Sequence, residues 1–171
     1  GTLKGAAEEE APEVIPFVDL RDDTRYRESI LTMHKLGLMT GTDSPLGQVF
    51  NPTSFMDRAQ FATVFYRLGR LHTIKNPNSP SEDFCRFSDL PKKEWYFESV
   101  LNSCKDGLVE GYPDHTFQPT SFINYAEALA IVVRTAAQFS ETVKEMLDRQ
   151  IALDTLEERD WFVKYIETAK K

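Results

Sequence analysis

Apolar residues recur at helical spacing in two similar stretches of the chain. In each stretch they lie three or four positions apart, as they do along one face of an α-helix. The pattern predicts amphipathic helices over about 25–36 and 95–106. Gly37 and Gly107 come directly after these helices and suit the left-handed residue with which many helices end.

A second helix is predicted in each stretch, and it carries the clearer start signal. Asp57 is followed three residues later by Gln60, and Asn124 by Glu127. In both pairs the first side chain can accept from a free backbone amide, while the second reaches back to the capping residue. Since an apolar run follows each pair, we expect helices to begin at these positions.

The remaining segments connect the helices. The connections over 41–45 and 111–115 are polar and rich in turn-forming residues, which predicts irregular structure. The Pro- and Asn-containing stretch over 75–81 is typical of a linker. Residues 136–150 show a helical pattern again and predict a continuation of the preceding helix or a linking helix.

The two stretches are copies of one repeat. With a shift of 70 residues, Phe17, Asp19 and Leu20 fall on identical residues, and so do Gly37 and Gly41. Beyond Gly41 the shift becomes 67, because the first connection is three residues longer. A third copy begins near Leu153 and stops within its first helix. Because a short helix pair cannot bury its apolar face alone, neighbouring repeats are expected to cover one another.

Composition excludes several classes of function. The formal net charge of −7 argues against a nucleic-acid partner, which would need a basic surface. The chain contains no apolar run of membrane-spanning length, so no membrane insertion is expected. Its 41% hydrophobic content is enough for a folded core. Residues 1–15 are acidic and are predicted to form a flexible tail.

No cofactor or metal site is expected. The three histidines share no spacing typical of a metal site, and no zinc-type cluster is formed with the two cysteines. Cys85 and Cys104 either close a disulfide in an extracellular protein or remain buried free thiols, and the sequence leaves both alternatives open.

The ordered motifs of the second repeat resemble the S-layer homology domain. The residues that carry the resemblance are Phe87, Asp89, Trp95, Gly107, Gly111, Tyr112, Pro113, Asp114, Phe117, Pro119, Ala126 and Glu127. The resemblance implies a mainly α fold, with tandem helix-loop-helix repeats packed around a pseudo-symmetric helical bundle. It also gives the division into an S-layer homology repeat over 16–70, a linker over 71–85, a repeat over 86–137, a connecting helix over 138–152 and a partial repeat over 153–171.

The same resemblance implies where a ligand binds. In that family the arginine at the start of the second helix meets an anionic sugar in a groove between repeats, which here places Arg58 opposite the loop from Asp89 to Trp95. Lys92 and Lys93 would add positive charge. The ring of Trp95 or Tyr112 could stack on a sugar face.

Each of these residues has a structural alternative. Arg58 could be a solvated residue of the first helical turn, and Trp95 could only staple the helix start. Asp19 and Asp89 could accept hydrogen bonds from loop amides. Arg67 and Arg134 are expected to hold carbonyls or carboxylates between repeats.

Two positions depart from the family pattern. Tyr125 stands where the second repeat should carry the arginine, and Arg25 where the first should carry the tryptophan. The sequence therefore predicts at most one groove with the full set of residues.

The sequence bears on three classes of function. The favoured one is a non-catalytic anchor on the bacterial surface, bound to an anionic, for example pyruvylated, cell-wall polysaccharide. The alternative is a structural or assembly module of a surface layer, associating with itself or with a parent surface protein. An enzyme is disfavoured, because the repeated carboxylates sit at cap and turn positions and no nucleophile–base pair is evident.

Overall fold

The computed structural model describes residues 15–71, 84–157 and 160–170, with the side chains of 152–157 left aside. Within these residues the chain is mainly helical, as predicted. The elements are α1 Arg27–Lys35, β1 Thr42–Ser44, β2 Gly47–Val49, α2 Arg58–Leu71, α3 Phe97–Lys105, α4 Tyr125–Phe139, α5 Glu141–Glu157 and α6 Val163–Ala169. They form two compact units, residues 1–53 and residues 54–171.

The first helix of each repeat ends as the sequence predicts. Gly37 and Gly107 have φ angles of 70° and 72°, in the left-handed region. The amide that follows each glycine turns back to the helix: Leu38 donates to Met33 at 2.9 Å and Leu108 donates to Ser103 at 2.8 Å. The predicted bounds of both helices were slightly too wide.

Unit 1–53 packs α1 on the opening loop of the first repeat. Its buried cluster consists of Phe17, Leu20, Ile30 and Leu31. The carboxylate of Asp19 accepts from the amides of Phe50 at 2.8 Å and Asn51 at 2.7 Å. This confirms the structural interpretation of Asp19. The two hydrogen bonds join the end of the connection to the opening loop of the same repeat.

The prediction that the first connection is irregular was wrong. β1 and β2 form an antiparallel hairpin in which Thr42 pairs with Val49 and Ser44 with Gly47. The Ser44 hydroxyl donates to the carbonyl of Gly47 at 2.6 Å, and Gly47 has a φ of 118° that fits the tight turn. Polar residues suit these strands because the strands are largely exposed. In the second repeat the corresponding residues form a turn, in which Tyr112 donates to Thr116.

Unit 54–171 is built on the packing of α2 against α3 and α4. The central cluster of buried residues comprises Ala59, Ala62, Cys85, Leu90, Tyr96, Val100, Cys104, Leu108, Val109, Phe117 and Ile131. Within it Cys85 and Cys104 form a disulfide, which decides between the two alternatives that the sequence left open. The bond ties the opening loop of the second repeat to α3.

Both predicted capping boxes are confirmed. Gln60 donates its amide to the Asp57 carboxylate at 2.7 Å, and the Asp57 amide donates to the Gln60 side chain at 3.0 Å. Asn124 and Glu127 make the same reciprocal pair at 3.0 and 3.1 Å. The amides at the start of α2 also reach the second repeat, since Arg58 donates to Ser121 and Ala59 to Pro119. The first repeat is thus joined to the second by backbone hydrogen bonds.

The helical stretch after the second repeat is broken at Ser140, whose backbone is extended. The Ser140 hydroxyl accepts from the amide of Val143 at 3.3 Å, so a new helix begins there. α5 and α6 both pack on α4, where Tyr165 joins Ala130, Val133 and Leu147 in a buried cluster.

Several expectations fall wholly or mainly outside the described residues. They are the flexible tail over 1–15 and the linker over 71–85. In the described part of the chain, no helix has the length and apolar character needed to cross a bilayer.

Candidate functional site

A cavity of about 340 Å³ opens on unit 54–171. Its walls come from the start of α2, the connection of the second repeat, α4 and α6. The lining residues are Arg58, Val109, Glu110, Gly111, Tyr112, Pro113, Glu127, Ala130, Ile131, Arg134, Trp161, Lys164 and Tyr165. Small-molecule sites range over roughly 300–1,000 Å³, so this volume suits about one sugar unit.

Arg58 lies at the buried end of the cavity with every part of its guanidinium group engaged. Its Nε donates to the carbonyl of Phe117 at 2.8 Å, and one terminal nitrogen donates to the carbonyl of Glu110 at 3.2 Å. The other terminal nitrogen lies 3.0 Å from the Glu127 carboxylate. The group also lies over the rings of Tyr112 and Phe117. Arg58 is only 6% exposed, so the solvated alternative was wrong.

Glu127 serves three partners with its two carboxylate oxygens. Oε2 accepts from the backbone of Asn124 and completes the capping box, while Oε1 accepts from Arg58 and from the Tyr112 hydroxyl. Burial, together with the hydrogen bond to Glu127, raises the pKa of Tyr112 above its usual value. The phenol therefore stays protonated at neutral pH and remains a donor.

A second ion pair lies nearer the solvent. Arg134 contacts the Glu110 carboxylate at 2.7 Å, and its guanidinium group lies 5.0 Å from the centre of the Tyr165 ring. The ammonium group of Lys164 lies 5.4 Å from the same ring centre. Among the described residues Lys164 makes no ion pair. The lining thus contains three cationic and two anionic side chains, in a chain whose net charge is −7.

Aromatic side chains complete the lining. Trp161 precedes α6 and is 52% exposed, and its ring contacts Tyr165 edge to face. Tyr112 lies in the same lining. The lining thus places apolar rings with polar edges beside paired charges.

The structure brings together only two of the six ligand-binding candidates from the sequence, Arg58 and Tyr112. Asp89, Lys92, Lys93 and Trp95 do not line the cavity. Contrary to the expectation from the resemblance, the guanidinium group of Arg58 contacts the connection of its neighbouring repeat rather than the 89–95 loop, because Glu127 and two carbonyls lie there.

The other four candidates lie outside the lining of the cavity. Asp89 accepts from the amides of Phe117 and Gln118, each at 2.7 Å, which confirms its structural alternative. Trp95 is 59% exposed and packs edge to face on Tyr96. A ligand contact of Lys92, Lys93 or Trp95 stays a prediction.

Sequence reasoning missed four residues of the cavity as ligand or charge partners. Glu127 was interpreted only as a cap, and Lys164 and Glu110 were not singled out. Arg134 was expected to hold a carbonyl or carboxylate between repeats; it does hold a carboxylate, that of Glu110, but within the second repeat, and its place in the cavity was missed. Trp161 did carry a signal, since it matches Trp95 when the third copy is aligned with the second. Tyr125, at the position of the missing arginine, is exposed and lies outside the lining.

No cluster that could hold a metal ion is found among the residues that the structure describes. The residues that line the cavity offer charge pairing, hydrogen bonding and ring stacking.

Comparison with known proteins supports this interpretation of the repeats. A sequence model of the S-layer homology domain matches residues 16–62 and 86–129, more than half of the chain. No solved structure matches the chain significantly.

Several curated proteins are similar over most of this chain. A cell surface protein of Thermoanaerobacter kivui is 29% identical over 70% of the chain, and the middle cell wall protein of Brevibacillus brevis is 27% identical over 81%. The cellulosome-anchoring protein of Acetivibrio thermocellus is 30% identical over 71%. The matched parts are only 15%, 12% and 26% of these relatives' own lengths. On the evidence of its two matched repeats, the chain belongs to the S-layer homology domain family.

Proposed function

We propose that this chain is a non-catalytic anchoring module, which holds a larger protein on the bacterial cell surface by binding an anionic polysaccharide of the cell wall. Membership of the S-layer homology family supports anchoring. The relatives described as cell surface, cell wall and cellulosome-anchoring proteins support the location outside the cell. The repeats would pack around a pseudo-symmetric helical bundle.

The observation that carries the proposal is the composition of the cavity. Cations outnumber carboxylates in its lining although the chain as a whole is acidic. Because field lines concentrate in a cleft with low-dielectric walls, a locally cationic cavity can attract an anion despite an unfavourable net charge. Trp161 and Tyr112 would contact the sugar ring, and an acid group such as a pyruvyl ketal would meet the cationic side.

Retention on purified cell-wall polysaccharide tests the proposal, with two tryptophans compared. Trp161→Ala is expected to weaken retention about tenfold or more, since stacked aromatic rings contribute strongly to such contacts. Trp95→Ala is the matched control, because Trp95 occupies the equivalent repeat position with similar exposure outside the cavity.

Each outcome has a distinct meaning. Loss of retention in the Trp95 variant alone would show that the binding site lies at Lys92, Lys93 and Trp95 rather than in the cavity. Failure of the unaltered chain to bind wall polysaccharide would contradict the anchoring function.

A structural or assembly module is the second candidate, and one surface favours it. Phe55 and Phe122 occupy equivalent positions in the two repeats and are 81% and 69% exposed, with ring centres 5.6 Å apart. Exposed aromatic pairs are frequent in protein contacts. Sedimentation of the chain over a range of concentrations tests self-association. If the unaltered chain stays monomeric at every concentration and Phe55→Ser sediments in the same way, the result counts against self-association.

A further inference from the structure

We infer that Glu110 competes with the ligand for Arg134. The Glu110 carboxylate pairs with Arg134 until the acid group of a sugar takes its place. The inference rests on the proposed function and specifies how the same cavity distinguishes acidic from neutral sugars. It assigns the ligand-facing charge to Arg134 and Lys164 rather than to Arg58.

Arg58 already uses each of its three guanidinium nitrogens on a protein group, and it is only 6% exposed. Its three nitrogens are matched to two carbonyls and the Glu127 carboxylate, and aromatic rings lie against its guanidinium group. Removing any of these partners would leave a buried polar group unpaired, at a cost larger than a surface contact returns. Arg58 is therefore a positioning residue, which holds the backbone of Glu110 in the cavity wall.

The pair formed by Arg134 and Glu110 is different, because one of its partners is free to leave. The Arg134 side chain is only 13% exposed, but the Glu110 side chain is 54% exposed. An exposed carboxylate recovers most of its hydration when it moves into water, so the release of Glu110 costs little when another anion takes its place on the largely buried Arg134. The backbone of Glu110 would stay in place, since its carbonyl is held by Arg58.

Lys164 supplies the second charge for the incoming group. Its ammonium group and the guanidinium group of Arg134 lie over the same Tyr165 ring, at 5.4 and 5.0 Å from its centre. Since Lys164 has no ion pair among the described residues, an anion placed beside Tyr165 would meet one unneutralised cation and one that is exchangeable. A carboxylate on a sugar ring stacked against Trp161 fits this arrangement.

Selectivity follows from the exchange. A neutral sugar offers no charge to replace Glu110, so the Glu110–Arg134 pair persists and narrows the cavity. An acidic sugar forms the new pair and releases Glu110 to water. The exchange would favour a sugar that carries a carboxylate, and a neutral glycan of the same backbone is expected to bind more weakly.

Calorimetric titration tests the inference with two probes: a carboxylate-bearing wall polysaccharide, and the same polysaccharide with its carboxyl groups reduced to alcohols. Glu110→Gln is expected to bind the acidic probe about two- to fivefold more tightly than the unaltered chain, because the competing charge is gone. Lys164→Met is expected to bind it about tenfold more weakly. On the reduced probe both variants should match the unaltered chain within about twofold.

Charge-matched controls separate local from general electrostatic effects. Glu141→Gln changes the net charge by the same amount as Glu110→Gln, and Lys144→Met by the same amount as Lys164→Met. Neither Glu141 nor Lys144 lines the cavity. These two controls should bind the acidic probe like the unaltered chain, and circular dichroism should show that all four variants remain folded.

Binding by the unaltered chain without a gain in Glu110→Gln, or without a loss in Lys164→Met, would overturn the inference while leaving the anchoring function intact. Equal gains in Glu110→Gln and Glu141→Gln would also overturn it. The absence of any binding by the unaltered chain would refute the anchoring function, and the inference with it.

Discussion

At the scale of single residues, the buried charges of the cavity are linked to the stability of the fold. Arg58 and Glu127 connect the starts of α2 and α4, and Tyr112 adds its hydroxyl to the same carboxylate oxygen. A buried charge is tolerated only when a partner compensates for its lost hydration. These three side chains therefore depend on one another.

Truncation of this group should be costly. Arg58→Ala is expected to lower the free energy of unfolding by about 3–5 kcal/mol, because the buried Glu127 side chain would lose the guanidinium group that pairs with it. Tyr112→Phe removes one hydrogen bond to a charged group and should cost about 1.5–3 kcal/mol. Urea denaturation measures both. Arg149→Ala, an exposed arginine of α5, is the control and should change the stability little. Equal losses in all three variants would contradict a buried pair.

Asp19 gives unit 1–53 a dependence on pH. Burial acts to raise the pKa of Asp19, but hydrogen bonds from the amides of Phe50 and Asn51 outweigh it and lower the pKa. Because the folded-state pKa lies below the unfolded value, the carboxylate stabilises the fold above about pH 4, and this contribution is lost as the pH falls through the folded-state pKa.

The variant Asp19→Asn should therefore lose stability mainly at neutral pH. An amide side chain has one acceptor oxygen for two backbone amides, and it does not titrate. The difference in melting temperature between the unaltered chain and the variant should shrink as the pH is lowered from 7 to 3. A constant difference across that range would show that the Asp19 charge is irrelevant.

At the scale of elements, two glycines with the same backbone conformation stand in different surroundings. Gly37 and Gly41 have φ angles of 70° and 69°, so an L-residue is strained equally at both. A Cβ at Gly37 would meet nothing within 4 Å, whereas at Gly41 it would lie 2.5 Å from the Phe17 ring.

Gly41→Ala should accordingly destabilise the chain more than Gly37→Ala. Gly37→Ala should lower the free energy of unfolding by about 1–2 kcal/mol, from backbone conformation alone. Gly41→Ala should lower it by the same amount and by about 1–3 kcal/mol more, because the new methyl group overpacks against a buried ring. Chemical denaturation of the two variants side by side measures the difference. Equal costs would show that both the Phe17 ring and the Val49 carbonyl, which would lie 2.7 Å from the new Cβ, move aside freely.

Elements whose signals are local could be predicted from the sequence. The capping boxes and the glycines after α1 and α3 each depend on residues a few positions apart, and all were found. The hairpin of β1 and β2 was missed because its residues are polar and its strands have only three residues each, too few to show an alternating pattern. Its pairing depends on the turn at Gly47.

At the scale of the whole molecule, the compact units do not coincide with the repeats of the sequence. The boundary at residues 53 and 54 lies inside the first repeat, and α2 packs against α3 and α4 of the second. Every residue of the cavity belongs to unit 54–171. The candidate site could be predicted only in part for this reason: Arg58 was recognised by its motif, but its pairing with Glu127 depends on how α2 and α4 pack.

The fragment 54–171 is therefore expected to keep the affinity of the full chain for cell-wall polysaccharide within about threefold, a difference of less than 1 kcal/mol. Its circular dichroism should show the helices of this unit, and calorimetric titration compares the two affinities. A folded fragment that no longer binds would place essential ligand contacts in residues 1–53.

The disulfide has a kinetic consequence for this molecule. Cys85 and Cys104 are almost completely shielded from water, at 2% and 0% exposure. A dissolved thiol must reach one of the sulfur atoms in order to attack it. Cleavage therefore requires a local opening in which the loop that contains Cys85 separates from α3. When reagent is abundant, cleavage proceeds no faster than that opening. The rate at which the disulfide is cleaved thus reports how often the second repeat opens locally. A ligand that makes this opening rarer would slow the cleavage.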